Sequence, residues 1–283
     1  MVMLNGPGDI RLHKTIENHV DSVPSRSVRP IVFVAVPVVV LLAVAALLYL
    51  RRVPAKPVPA SQTPAADAVK IRQDPTEAVT LPPLSETDTL VRQLVGALTT
   101  HQVAAAWLAN ERLIVNFVVV TGRIADGQTP VAELKSLGPI PPFRERGAPG
   151  ALSIDSSSYR RYDRYAQAVS ALDAGGAARI YETLKPRINE ADRSFGGAGA
   201  FDAVLERAIV ELLKVPVVDG EIALRPAGIG YAFVDPKLEG LSPAQKQLLR
   251  MGPDNVRTIQ RKLREIASAL AIPESRLPPP TPL

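Results

Sequence analysis

The chain contains no cysteine and few histidines or aromatic residues. Among its 283 residues there are three histidines, and aromatic side chains make up 5%. The lack of cysteine excludes disulfides, a thiol nucleophile, a lipid-carrying cysteine and cysteine-based zinc sites. It fits an oxidising compartment as well as the cytosol, so it does not locate the protein. Because aromatics are scarce, a core must be built mainly from Leu, Val, Ile and Ala, which favours helix packing.

Charge of either sign is in near balance. The 33 Lys and Arg residues exceed the 28 Asp and Glu residues by five, and the isoelectric point is about 9.5. This excess suits contact with an anionic surface. The basic residues are scattered rather than gathered in one patch, so we expect no nucleic-acid partner.

One long hydrophobic run is present, IVFVAVPVVVLLAVAALLYL at residues 31–50, with no charge in 20 residues. A helix of this length spans about 30 Å, the thickness of a bilayer core. Its 14 Val, Leu, Ile and Phe residues contribute on the order of −4 to −8 kcal/mol towards insertion. We predict a single-pass transmembrane helix in contact with the lipid bilayer. A buried core helix and a signal peptide cleaved near VPA at 53–55 are the alternatives.

The flanking charges do not orient this run. Four basic residues precede it and four follow it within 20 residues, which leaves the positive-inside rule tied. The stretch VPAKPVPASQTPAAD, 53–67, is typical of a semi-rigid spacer that holds a domain away from a membrane. We therefore predict a short polar tail at 1–30, the membrane helix at 31–50 and a Pro/Ala-rich linker at 51–80. The expected location is the bacterial inner (cytoplasmic) membrane, with the C-terminal domain in the periplasm.

Helical patterns dominate residues 81–273, so the predicted fold class is mainly α, a compact helical domain with one or two short β pieces. The β pieces are expected within 128–155 and at 221–235. Helix signals include SETD at 85–88, where Ser85 is the expected N-cap. A disordered Pro-rich tail is expected at 274–283.

Two helices show clear amphipathic spacing. The first places Leu113, Phe117, Val120 and Ile124 on one face and ends near Gly127. The second, the last helix of the domain, turns four residues inward: Ile259, Leu263, Ile266 and Leu270. Before it, Ser242 and Pro243 are suited to begin a short helix, whereas Gly252 and Pro253 are suited to stop one.

Three stretches carry a resemblance to a known family: WLANERLIVNFVVVTGRIADG, SSSYRRYDRYAQAVSALD and LSPAQKQLLRMGPDN. Together they resemble the bacterial domain-of-unknown-function family 3014, over about two-thirds of the chain, and the last is the most specific. The resemblance implies an envelope protein with one N-terminal membrane span, a variable linker and a domain like residues 81–273. That family has no assigned activity, so the resemblance implies no catalytic residue.

Catalytic signals are weak. After the hydrophobic run the only histidine is His101, and no GxSxG motif accompanies it, so a serine hydrolase triad is not predicted. One histidine without cysteine leaves only carboxylate ligands, and we expect neither a metal nor a cofactor. A glycosidase-type carboxylate pair would need two acids close together, and spacing does not choose among the available acids: Asp155, Asp163, Glu182, Glu190, Asp202 and Glu206.

The glycine-containing stretch FGGAGAF, 195–201, is interpreted as a structural link. It follows a predicted helix rather than a strand and lacks the Lys–Ser/Thr ending of a phosphate-binding loop. Asp202 is expected to cap the next helix or to complement its dipole.

Two groups of basic residues form candidate interaction faces. In YRRYDRY, helical spacing places the tyrosines at 159, 162 and 165 opposite Arg160, Arg161 and Arg164. The second group forms a stripe opposite the apolar face of the last helix, and all of its members are expected to be exposed: Lys246, Arg250, Arg257, Arg261 and Arg264. Both groups also fit the ordinary solvated side of a helix.

The sequence therefore predicts a membrane-anchored, non-enzymatic envelope module. Its basic helix faces would bind a protein or an anionic envelope polymer. A carboxylate-dependent envelope hydrolase is the main alternative, and a cytoplasmic-facing adaptor with inverted topology is the other.

Overall fold

The computed structural model describes residues 81–130, 133–134, 141–228 and 230–279. Helices dominate this part of the chain, as expected. The helices are α1 Thr87–Gly96, α2 Gln102–Leu108, α3 Leu113–Ala125, α4 Ser157–Arg160, α5 Asp163–Ser170, α6 Ala174–Ser194, α7 Phe201–Leu213, α8 Pro236–Glu239, α9 Pro243–Leu249 and α10 Pro253–Ala269. The strands are β1 Glu145–Arg146, β2 Leu152–Ile154, β3 Ala223–Ala227 and β4 Gly230–Phe233.

The hydrophobic core lies between α3, α6, α7 and α10, with α5 packed on α10. The predicted amphipathic helix is confirmed as α3, whose four predicted core residues are all buried. Its Phe117 ring lies 5.5 Å from that of Phe201 on α7. In α10, Ile259, Leu263 and Ile266 are buried as predicted, and Leu270, at the helix end, is half-buried.

The two predicted β pieces join into one sheet. Its order is β1-β2-β3-β4 and all neighbours are antiparallel. Strand β2 pairs with β3 through Ser153 and Ala223, so the second piece is a hairpin that completes the first. The sequence pattern indicates the strands but not their pairing, because the partners lie about 70 residues apart.

The helix start predicted at Ser85 is wrong. Ser85 lies in a 3-10 turn, and α1 begins at Thr87 without a side-chain cap. Asp88 of the same motif instead accepts hydrogen bonds from the backbone N–H groups of Arg112, at 2.7 Å, and Leu113, at 2.8 Å. The acid thus caps α3, and its charge lies at the positive end of that helix.

The C-terminal segment departs from the disorder expected from residue 274. Glu274–Arg276 forms a 3-10 turn, and Leu277 is buried in the core. Arg276 also contacts Glu206 on α7 at 2.8 Å. Residues 274–279 therefore pack on the domain, because one apolar side chain and one ion pair fix them.

The predicted membrane helix at 31–50 lies outside the described residues. Within the described ranges, no single helix combines the length and apolar character needed to cross a bilayer. Helices α2 and α3 reach this length and apolar character only when they are taken together, and the chain bends by 109° between them.

Candidate functional site

The two most distinctive basic segments meet in the structure. The side-chain amide of Asn255, at the start of α10, donates to the backbone oxygen of Tyr159 at 3.2 Å and to Asp163 at 3.0 Å. Gly252, just before α10, lies against the Tyr159 ring. The candidate faces on α4–α5 and α9–α10 are therefore neighbours, which sequence spacing alone did not show.

Local capping signals set the position of α9. Ser242 and Gln245 form a capping box, with Ser242 Oγ accepting from the Gln245 N–H at 3.2 Å and Gln245 Oε1 accepting from the Ser242 N–H at 3.0 Å. Pro243 occupies the first turn, as predicted. The helix ends at Leu249 with Arg250 as its C-cap, whereas Gly252 is the N-cap of α10 and Pro253 is its first residue. The predicted start of α9 is thus confirmed, and the glycine and proline expected to stop it begin the next helix instead.

The predicted arrangement of YRRYDRY around one helix is wrong. The helix breaks between α4 and α5, so residues 161–162 lie in a turn. Arg161 points inward with the tyrosines and is only 7% exposed. Arg160 is exposed, and the Arg164 guanidinium lies 4.7 Å from the Tyr165 ring centroid.

Arg161 is held by neutral oxygens and aromatic rings. Its guanidinium donates to the backbone oxygens of Ser158, at 3.0 Å, and Pro141, at 3.1 Å, and to the Tyr162 hydroxyl at 3.3 Å. It also lies 5.6 Å from the Phe143 ring centroid. Burial lowers the pKa of Arg161, but an arginine stays charged in proteins.

Arg250, the C-cap of α9, interacts electrostatically with Tyr162. Its guanidinium carbon lies 4.9 Å from the Phe233 ring centroid, a cation–π contact. The guanidinium makes no hydrogen bond and no ion pair with the described residues. Burial lowers the pKa of Arg250 and raises that of Tyr162. We call Arg161, Tyr162, Gln247 and Arg250 the Arg–Tyr junction.

The expectation that the whole second stripe is exposed is wrong for Lys246, Arg250 and Arg264, which are half-buried. Neighbouring segments supply partners that draw these side chains in. Lys246 pairs with Glu239 at 2.7 Å, and Arg264 pairs with Glu274 at 2.6 Å.

The other two members of the stripe are exposed, as expected. Arg257 is paired with Asp219 and with Asp254. The Arg261 side chain makes no hydrogen bond or ion pair within the described residues. Three of the five stripe residues are thus paired inside the domain, and of the two without an ion pair among the described residues, Arg250 is half-buried and Arg261 is exposed.

The six carboxylates considered for catalysis are all engaged in hydrogen bonds or ion pairs. Their partners are Ser157 for Asp155, Asn255 for Asp163, Lys185 for Glu182, Arg187 for Glu190, Tyr181 and Lys185 for Asp202, and Arg276 for Glu206. Each of the six carboxylates thus has at least one partner within the domain.

The starts of α7 and α2 are capped by side chains that the sequence pattern did not identify as caps. At the start of α7 the N–H of Phe201 donates to Asn189 Oδ1 at 2.9 Å, so Asp202 is not its cap. Asp202 lies in the first turn of α7, where its charge complements the helix dipole, the other role predicted for it. His101 caps α2, because its Nδ1 accepts from the Val103 N–H at 3.2 Å.

A groove of about 500 Å³ lies beside the FGGAGAF link. It is lined in part by Asp126, Asp192 and Arg207, and Phe195 at its edge is 58% exposed. Burial raises the pKa of Asp192. A Cβ at Gly197 would lie 1.9 Å from an Asp192 oxygen, so a larger residue there would displace the Asp192 carboxyl group.

Sequence reasoning did not single out Asp192, because nothing in its spacing marks it as a groove residue. Across the described segments, no three His, Asp or Glu side chains are placed to hold a metal ion.

Comparison with known proteins adds a family and no activity. A family model described as a protein of unknown function (DUF3014) matches residues 113–267, more than half of the chain. No curated protein and no solved structure matches the chain.

Proposed function

We propose that this chain, which belongs to the DUF3014 family, is a single-pass, membrane-anchored module of a bacterial cell envelope that binds a protein or an anionic polymer without catalysis. One observation carries the binding role. The α4–α5 and α9–α10 segments meet through Asn255, and each of them carries arginines that form no ion pair with a carboxylate of the described residues. Arg160 and Arg261 are the exposed members of this group, and Arg161 and Arg250 are its buried and half-buried members.

The membrane anchor rests on the sequence. Residues 31–50 form an uncharged run long enough to span a bilayer, and a Pro/Ala-rich linker follows at 51–80. An anchored domain on a spacer is suited to holding a partner close to the membrane. The spacer favours the periplasmic side for the domain.

The anchor is tested with a reporter that is active only outside the cytoplasm. Fused after residue 75, this reporter should be active, whereas fused at the N-terminus it should be inactive. The reverse pattern would contradict the orientation and the periplasmic location together.

The binding role is tested by reversing the two exposed arginines in the full-length chain. Arg160→Glu with Arg261→Glu should lower retention on sedimented envelope material several-fold, and retention of the unmodified chain should weaken as salt is added. The fold should survive, because exposed charges usually contribute less than about 1 kcal/mol. Circular dichroism checks the fold.

The matched control is Arg193→Glu with Lys214→Glu, an equal charge change at exposed residues on α6 and at the end of α7. Equal loss in both double variants, or no loss in either, would contradict the assigned face. Protease treatment of the envelope material separates the partners, since it removes retention by a protein and leaves retention by a polymer.

The groove beside α7 supports a second candidate, the carboxylate-dependent hydrolase. Asp126 and Asp192 line one groove, and a raised pKa of Asp192 suits a general acid. This candidate requires the full-length chain to release soluble fragments from envelope polymer, and Asp192→Asn to stop the release. No release by the unmodified chain would exclude it for that polymer.

A further inference from the structure

Hydrogen-bond donors exceed acceptors at the Arg–Tyr junction. The Tyr162 oxygen accepts from Arg161 at 3.3 Å and from Gln247 at 3.4 Å, which leaves its own O–H as a donor. The guanidinium of Arg250 adds five N–H donors, none of them used within the described residues. The junction therefore offers donors and positive charge without a matching acceptor.

The nearest acid does not remove this imbalance. Glu239 acts on Arg250 electrostatically, but its oxygens are taken by Lys246, at 2.7 Å, and by the Phe233 N–H, at 2.9 Å. These two bonds lower the pKa of Glu239 and hold it as a carboxylate. Arg161, Arg225, Arg250 and Lys246 against Glu239 leave a local charge of 4 − 1 = +3.

Solvent can reach the unused donors of Arg250, whereas Tyr162 is only 3% exposed. The solvent-inaccessible side-chain atoms without a partner among the described residues are Thr121 Oγ1 and Glu133 Oε2, and no nitrogen of Arg250 is among them. Arg250 is half-buried, so an ion bound there would be partly removed from water. Charge-assisted hydrogen bonds are about twice as strong as neutral ones, and partial removal from water strengthens them further.

We propose that the Arg–Tyr junction is a recognition site for one oxyanion, a phosphate or carboxylate group carried by the partner. Arg250 binds the group through its planar N–H fork, which matches either anion in two-point contact. Tyr162, which acts on Arg250 electrostatically, supplies the second donor through its O–H, and the Phe233 ring centroid lies 4.9 Å from the Arg250 guanidinium carbon. This inference rests on the proposed function and deepens it by naming the group that the partner presents.

The test uses the full-length chain and two probes, inorganic phosphate and acetate, with chloride at matched ionic strength as the reference. At least one probe should raise the thermal unfolding midpoint saturably above chloride, as expected for a ligand that binds the folded state. The better probe identifies the group as phosphate or carboxylate. The same probe should also compete with envelope retention.

Three variants assign the effect to the junction. Arg250→Gln should abolish the midpoint shift, and Tyr162→Phe, which removes one hydroxyl, should weaken the apparent affinity several-fold. Arg193→Gln, at an exposed arginine of α6 outside the proposed binding face, should keep the full shift. If Arg250→Gln does not fold, Arg250→Lys takes its place and should reduce the shift, because it keeps the charge and loses the fork.

The site would be overturned if neither probe changed the unfolding midpoint of the unmodified chain. It would also be overturned if the Arg250 and Tyr162 variants showed the same midpoint shift as the unmodified chain. Failure of the site is distinct from failure of the proposed function. If envelope retention depended on Arg160 and Arg261 but neither probe shifted the unfolding midpoint, the oxyanion site would be overturned and the proposed function would stand. A probe effect without envelope retention would support the site and contradict the proposed partner.

Discussion

Gly252→Ala is expected to lower the free energy of unfolding by roughly 2–6 kcal/mol. Gly252 has φ +87° and ψ 163°, a backbone region that costs a non-glycine residue about 1–3 kcal/mol. An added Cβ would also lie 2.5 Å from Cγ of Tyr159, and overpacking of this kind costs about 1–3 kcal/mol. Chemical denaturation of the full-length chain measures the loss.

Gly196→Ala is the matched control, since Gly196 has φ +90° and no atom within 4 Å of an added Cβ. It should lose only the backbone part, about 1–3 kcal/mol. In a Tyr159→Ala background the cost of Gly252→Ala should fall towards that of Gly196→Ala. If Gly252→Ala and Gly196→Ala lowered the free energy of unfolding equally in the unmodified background, the contact between Gly252 and Tyr159 would not be what joins α4–α5 to α9–α10.

Leu263→Ala is expected to cost about 2–5 kcal/mol, the range for a fully buried leucine. Leu263 is 1% exposed and lies on the face of α10 that packs against α5, α6 and α7. Leu270→Ala, at the half-buried end of the same helix, should cost clearly less. If Leu263→Ala lowered the free energy of unfolding by less than about 0.5 kcal/mol, the face of α10 assigned to the core would be the wrong one.

Local signals predicted the elements well. The buried faces of α3 and α10 follow from the spacing of apolar residues, and the start of α9 follows from Ser242. These signals involve residues within one or two helical turns of each other, so they can be read from a short stretch of sequence. The cap of α3 is different, because Asp88 acts on backbone groups 24 and 25 residues away. Spacing within one motif does not identify such a partner.

The candidate site was predicted in part. Sequence spacing selected Arg161 and Arg250 as basic residues of interest, but placed both on solvated faces. A helical projection assumes an unbroken helix, and the turn at residues 161–162 rotates Arg161 inward. Arg250 is turned inward by Phe233, a residue of the sheet whose position depends on the long-range pairing of the strands.

The most direct test of the account places a photoreactive amino acid at one exposed position at a time in the full-length chain and irradiates intact cells. The account predicts that positions 160 and 261 crosslink to the same envelope component, and that position 193 on α6 does not. Crosslinking of equal strength at all three positions, or capture at 193 alone, would contradict the claim that the two basic segments form one binding face.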